Sequence, residues 1–179
     1  SAGLSFGPNE HKMGWNAQPT RQVILDEVRV PASAVLGEVG AGFRIAMKGL
    51  NGGRVNIAAC SIGGAQWALD RAVRYVHERC TCGEALVERQ AVVFALADMA
   101  TQLEAARQLV WHAASLKDAG RPCLKEASMA KLFASEMAER VCSDATPVHG
   151  GYGYVTDFPV ERIYRDVRVC QISARASDI

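Results

Sequence analysis

The 179-residue chain has almost no net charge, with 20 Lys and Arg against 19 Asp and Glu. It therefore lacks the electrostatic footprint expected for nucleic acid or an anionic lipid surface. It also lacks an apolar run of the ~18 residues a membrane helix needs; the best stretch, Val55 to Leu69, is too short. Glycine (16) and proline (6) are at ordinary frequency, which excludes collagen-like and low-complexity chains. There is no CxxC pair. His77, Cys80 and Cys82 can be drawn as three metal ligands, but no second pair completes a four-ligand set. No secretory leader is recognisable, so the six cysteines are expected reduced and intracellular, several of them on buried helix faces. No Ser-His-Asp or Cys-His-Asn set assembles from helix-face spacing, which leaves a hydrolase without support. What remains is a hydrophobic share of 49% with 22% charged residues, an ordinary globular composition.

The two ends of the chain are patterned differently. Residues 1–39 carry turn signals at Gly3, Gly7-Pro8, Gly14, Pro19, Pro31 and Gly37 around short runs rich in β-branched residues. Val23 to Glu27 and Val28 to Val30 suit one or two strands, ended by Pro31. So few strands cannot bury a face alone, so residues 1–39 read as the tail of a larger β domain.

From Gly40 the period changes. Ala58, Ile62, Ala65, Leu69, Ala72 and Val76 follow steps of four and three. So do Val92, Leu96, Met99, Leu103, Ala106, Val110 and Ala113, and then Ala127, Ala130, Ala134, Met137, Val141 and Ala145. Three such stripes predict long antiparallel helices, each roughly 30–40 Å, packed at small crossing angles. Gly83, Gly120-Arg121-Pro122, and Pro147 with Gly150-Gly151 mark their ends. Pro159 opens a shorter fourth helix with Val160, Ile163, Tyr164 and Val167, and a short helix from Gly42 to Leu50 is expected before a break at Asn51-Gly52-Gly53. The fold class is mainly α: a four-helix bundle over residues 40–179 hung on the last strands of a β domain.

Three features can carry chemistry. Arg79, followed by Thr81, ends the first long helix, and a guanidinium fork with a hydroxyl can hold a diphosphate bidentately. The same arginine can equally complement the helix C-terminus. The segment His149 to Tyr154 (HGGYGY) lets backbone approach a bulky polar ligand, or is simply a tight turn with core aromatics. It is not a Rossmann fingerprint, since no strand precedes it. Arg54, just after the expected break, is placed to meet an anion at free backbone N–H groups, or to be a solvated first-turn residue.

Five words of sequence occur together and in order: KMGWNAQPTR (12–21), GLNGGRVNIA (49–58), LADMAT (96–101), MAKLFA (129–134) and HGGYGY (149–154). With them the chain resembles the acyl-CoA dehydrogenase flavoproteins, and among those the isobutyryl-CoA type, from Leu4 to about Ile172. The resemblance implies that the chain is the C-terminal half of a longer protein and stops before the family's last helix. It implies FAD-dependent α,β-dehydrogenation of a short branched acyl-CoA: a carboxylate takes the α-proton while flavin accepts the β-hydride. It implies a homotetramer, electron-transferring flavoprotein as acceptor, and a location in bacterial cytoplasm or the mitochondrial matrix. Arg79 and Thr81 match the pair that binds the FAD diphosphate of a neighbouring subunit, and Gly150 and Gly151 match the glycine turn near the adenosine end. Asn51, in place of the more general Asp, and Arg54 match the segment that contacts CoA.

Other positions depart from the family pattern. Cys82 stands where an aromatic usually packs on FAD, and Pro147 replaces a glutamine. The Glu-Gly-Thr word that carries the base aligns with Ala174-Arg175-Ala176, and the alternative base position falls on Gly53. Neither Ala174 nor Gly53 can accept a proton. Asp178 is expected a helical turn away, out of reach of the role. A non-catalytic relative that binds acyl-CoA or serves in assembly is thus the second reading beside the dehydrogenase.

Overall fold

The computed structural model describes residues 1–175 of the chain; of the sequence-predicted positions, Ala176 and Asp178 lie outside them. Four helices dominate: α1 (Gly42–Glu78), α2 (Gln90–Asp118), α3 (Leu124–Val148) and α4 (Val160–Arg175). α3 packs against each of the other three, and α1 touches all of them. The predicted stripes form the core. Every stripe residue named on α1 and α3 is buried, as are Met99, Leu103, Ala106, Val110 and Ala113 of α2. Alanine at eleven of these positions, counting Ala68 and Ala138, lets the helix axes come close. Val92 and Leu96, at the start of α2, are only half-buried.

Two expectations are corrected. The break at Asn51-Gly52-Gly53 does not exist, and the short helix Gly42 to Leu50 is the first part of α1, which runs 37 residues without interruption, about 55 Å. Two glycines cost roughly 1 kcal/mol each in helix propensity, whereas extending an already packed helix needs no new nucleus. Packing from Val55 onward supplies that nucleus. At Gly52 the missing side chain also makes room, since a Cβ would lie 3.1 Å from Lys117 Nζ of α2. The second correction concerns Val28 to Val30, which form no strand. Glu27 takes a left-handed backbone (φ 48°) and turns the chain after β2 (Val23–Leu25), which pairs antiparallel with β1 (Leu4–Phe6).

The β1–β2 pair leaves Phe6, Val23 and Leu25 exposed and covers no core of this chain. The segment between its strands is clasped to α4 instead. Trp15 N–H donates to Asp166 Oδ1 at 2.6 Å, and Arg165 Nη1 donates to the Met13 carbonyl at 2.6 Å. Gly14 is required there, because a Cβ would lie 2.7 Å from the Arg165 carbonyl oxygen.

Helix ends follow their chemistry. Gly120 (φ 66°) closes α2: its N–H reaches the Lys117 carbonyl and Arg121 N–H reaches that of Leu116, the two bonds of a Schellman motif. Pro147 lies in the last turn of α3, which stops one residue later. Inside the bundle, buried Lys131 of α3 donates to the Cys170 carbonyl of α4 at 2.7 Å. Burial pushes the Cys142 thiol up to about 12, and burial likewise raises Cys170. Cys142 and Cys170 are the two cysteines fully inside; Cys60, Cys80 and Cys82 are exposed.

Candidate functional site

After α1 the chain turns back on itself. β3 (Cys80–Thr81) pairs antiparallel with β4 (Glu84–Ala85), so the hairpin has Cys82 and Gly83 as its two-residue loop. Both loop residues have positive φ, 57° and 87°, as a type I′ turn demands. Cys82, read above as a cofactor-packing position, is thus the exposed first loop residue. Arg79 is extended (φ −87°, ψ 121°), and its carbonyl accepts from Leu86 N–H, which continues the ladder. Alternation along extended backbone therefore sends the Arg79 and Thr81 side chains to the same face.

On that face two polar groups lack a hydrogen-bond or ion-pair partner among the described residues. Among the described residues no carboxylate lies in ion-pair range of Arg79. Thr81 Oγ1 is buried and has no hydrogen-bond partner. A buried hydroxyl without a partner costs about 1–3 kcal/mol of lost hydration, so native structures rarely keep one without a reason.

The glycine segment arrives at the same end of the bundle. Gly150–Gly153 forms a 3-10 turn directly after α3. His149 fastens it from below: its ring is buried, lies 4.6 Å from the ring of Tyr75 on α1, and its Nδ1 donates to the Ala145 carbonyl at 2.8 Å. Tyr152 stacks on Phe158 with centroids 4.7 Å apart, and the Arg79 guanidinium sits 5.7 Å from the Tyr152 ring centre. The structure thus brings Arg79, Thr81 and the 150–153 turn together.

The glycines have different reasons. Gly150 has φ 59°, and Gly153 is forced, since a Cβ would lie 2.1 Å from the Thr146 carbonyl oxygen. Gly151 has neither constraint: its φ is not positive and a Cβ would meet nothing within 4 Å. Among the described residues the fold gives no reason for glycine at 151. Beside it lies a cavity of about 230 Å³ lined by residues that include Trp67, Arg71, Arg74, His149 and Phe158. Sequence reasoning noted the tyrosines of HGGYGY but missed Tyr75, His149 and Phe158 as the framework of the turn. Tyr75 lies one helical turn before Arg79, which was the available signal.

Asn51 and Arg54 are not part of this group. Both lie inside continuous α1, roughly 40 Å along the helix from Arg79. The expectation that Arg54 stands beside free backbone N–H groups is corrected, because those groups belong to the helical ladder. Gly53 has open space around it, with nothing within 4 Å of an added Cβ. Ala174 lies in the last turn of α4. Among the described residues, no three His, Cys, Asp or Glu side chains gather as metal ligands, and no helix is long and apolar enough to cross a membrane.

The C-terminal domain of acyl-CoA dehydrogenases matches residues 40–179. The chain is 49% identical over all 179 residues to caffeyl-CoA reductase-Etf complex subunit CarC of Acetobacterium woodii, covering 47% of that protein. It is also 49% identical over 171 residues (95% of this chain, 41% of the relative) to mitochondrial isobutyryl-CoA dehydrogenase of Dictyostelium discoideum. Butyryl-CoA dehydrogenase from Megasphaera elsdenii superposes with a TM-score of 0.94 at 43% identity, over 97% of this chain and 45% of that one. The chain spans about half the length of the curated relatives it matches. With fold, sequence and domain in agreement, the chain belongs to the acyl-CoA dehydrogenase family.

Proposed function

We propose that this chain is the C-terminal bundle of an FAD-dependent acyl-CoA dehydrogenase acting on a short branched acyl group, and that its hairpin and glycine turn hold the diphosphate and adenosine end of FAD. The observation that carries the reading is the buried hydroxyl of Thr81, without a partner among the described residues, on the same face as a guanidinium that meets no carboxylate among them. Arg79 offers a planar fork that matches phosphate oxygens, and Thr81 adds one further hydrogen bond. The Thr81 hydroxyl is buried while the residue itself is half-buried, so a change of χ1 rotamer is the route by which it would reach a ligand. Gly151 leaves backbone open to close approach. When bound, FAD supplies the acceptor for the two electrons removed from the substrate.

Asn51 and Arg54, at the far part of α1, serve the CoA portion of the substrate in this reading. Their distance from Arg79 suits ligands shared between subunits, so that one chain contributes its two ends to different sites. The exposed apolar side chains Phe94 and Trp111 on α2, and Met129, Leu132 and Phe133 on α3, supply surface for a homotetramer. The name of CarC, a caffeyl-CoA reductase-Etf complex subunit, supports electron-transferring flavoprotein as the acceptor, and the relative from Dictyostelium supports isobutyryl-CoA. By the same resemblance the protein works in bacterial cytoplasm or the mitochondrial matrix.

A second reading rests on a specific observation. Ala174 and Gly53, at the two family positions for the proton-accepting carboxylate, have no group that takes a proton. That favours a relative that binds flavin and acyl-CoA without turnover. One experiment separates the two. The full-length protein is loaded with FAD and mixed anaerobically with isobutyryl-CoA or butyryl-CoA. Bleaching of the flavin, faster with isobutyryl-CoA, supports the dehydrogenase; retention of FAD without bleaching supports the non-catalytic relative. Failure to bind FAD overturns both.

A further inference from the structure

The Arg79 guanidinium is held by an aromatic ring, and that ring is itself braced. Tyr152 is the one large side chain in a turn whose other members, Gly150, Gly151 and Gly153, have none. Its backbone is fixed on both sides: Gly153 presses on the Thr146 carbonyl, and Tyr154 N–H donates to the Gly151 carbonyl at 3.2 Å. Behind the ring stands Phe158, tilted 28° to it at 4.7 Å. Phe158 is fixed in turn, because its N–H donates to the Val155 carbonyl and buried Val160 anchors the start of α4 two residues on. The contacts run from α4 through Phe158 and Tyr152 to Arg79.

An arginine side chain carries substantial rotamer entropy, part of which is lost whenever it grips a ligand. Arg79 sits at the end of a helix, with no carboxylate to orient it among the described residues. We propose that Tyr152 is a positioning residue: its ring, braced by Phe158, holds the Arg79 guanidinium toward the face shared with Thr81 before an anionic cofactor arrives. This rests on the FAD reading above and adds to it a residue that needs no contact with the cofactor. The face of a phenol ring attracts a guanidinium by ~0.5–1 kcal/mol at an exposed site, which corresponds to a two- to fivefold change in affinity.

The test measures the FAD dissociation constant of the full-length protein by flavin fluorescence, in Tyr152→Leu, Tyr152→Phe, Arg79→Leu and the Tyr152→Leu/Arg79→Leu double variant. The expected result is a two- to fivefold weakening for Tyr152→Leu and wild-type affinity for Tyr152→Phe, which keeps the ring. In the Arg79→Leu background, Tyr152→Leu then adds nothing, because there is no guanidinium left to hold. A merely structural role for Tyr152 would persist in that background, and this outcome overturns the proposal. So does equal weakening by Leu and Phe, which would assign the effect to the hydroxyl. If Arg79→Leu weakens FAD while Tyr152→Leu does not, the positioning role fails and the FAD reading stands. If Arg79→Leu itself leaves FAD binding unchanged, both fail together.

Discussion

Thr81 makes a prediction in which stability and binding move in opposite directions. Its Oγ1 is buried without a partner, so the cofactor-free protein bears an uncompensated loss of hydration of about 1–3 kcal/mol. Thr81→Val replaces that hydroxyl by a methyl of nearly the same size, and valine suits a strand as well as threonine does. No cavity forms and no existing bond is lost. Rotation of the hydroxyl toward solvent recovers part of the penalty in the wild type, so the expected gain is about 1–2 kcal/mol rather than the full value. For a chain of this size that corresponds to roughly 2–4 °C of melting temperature per kcal/mol. Affinity for FAD should fall by a factor of about 2–13, the worth of one hydrogen bond of 0.5–1.5 kcal/mol. Circular-dichroism melts of the deflavinated protein give the first quantity, and fluorescence titration with FAD gives the second. A variant that is less stable without cofactor, or that binds FAD as well as the wild type, refutes the reasoning.

The remaining predictions rest on other positions. Cys82→Asn, with φ 57° in a turn that favours Asn-Gly, should raise the denaturation midpoint by the equivalent of about 0.5–1 kcal/mol, because cysteine carries a steric cost in left-handed backbone; an unchanged midpoint would contradict that cost. Gly153→Ala forces a Cβ onto the Thr146 carbonyl and should cost more than ~2 kcal/mol or prevent folding, while Gly151→Ala stays within about 0.5 kcal/mol and weakens FAD binding alone; equal melts for the two variants would sink the distinction. With its thiol pushed up from 9.0 to about 12, Cys142 keeps its proton in the folded state at pH values where the unfolded chain loses it. The stability this contributes is complete below pH 9 and declines as pH rises toward 12, so a denaturation series should show that slope, reduced in Cys142→Ala. At pH 8, mass-resolved alkylation of the native protein should mark Cys60, Cys80 and Cys82 and spare Cys142, and its rapid labelling would contradict the burial assigned to it.

The bundle was legible because its core is written in one local code. Small and aliphatic residues recur at steps of three and four, and nothing but helix packing buries such a stripe. The error at Asn51-Gly52-Gly53 has the same origin, read from the other side. Glycine is a helix terminator only where a helix has no packing to continue for, and Val55 onward provides it. The hairpin was hidden because Cys-Gly is an unusual loop for a type I′ turn, and a left-handed cysteine leaves no mark in composition. At the candidate site, residue chemistry raised Arg79 with Thr81 and the glycine-dense 149–154 segment separately, each beside a bland alternative, and only the resemblance joined them. Their convergence depends on Tyr75 meeting His149 and Arg79 meeting Tyr152, contacts between residues more than seventy positions apart. No periodicity encodes those contacts. The partnerless state of Thr81 is equally invisible in sequence, because it depends on what every neighbour fails to offer.

The unbroken run of α1 has a geometric consequence. Each residue turns the helix by about 100° and advances it by 1.5 Å, so Asn51, Arg54 and Arg79 are fixed in phase like marks on one shaft. Adding or removing a single residue between Arg54 and Glu78 would swing the two ends out of alignment by more than a quarter turn, and would carry the alanine stripe off the bundle axis as well. The connection after α2, residues 119–123, has no such gearing and can change length while the helices stay in register. Length variation should therefore accumulate in that connection and be absent from α1, whose residue count is as much a specification as the identity of any side chain on it.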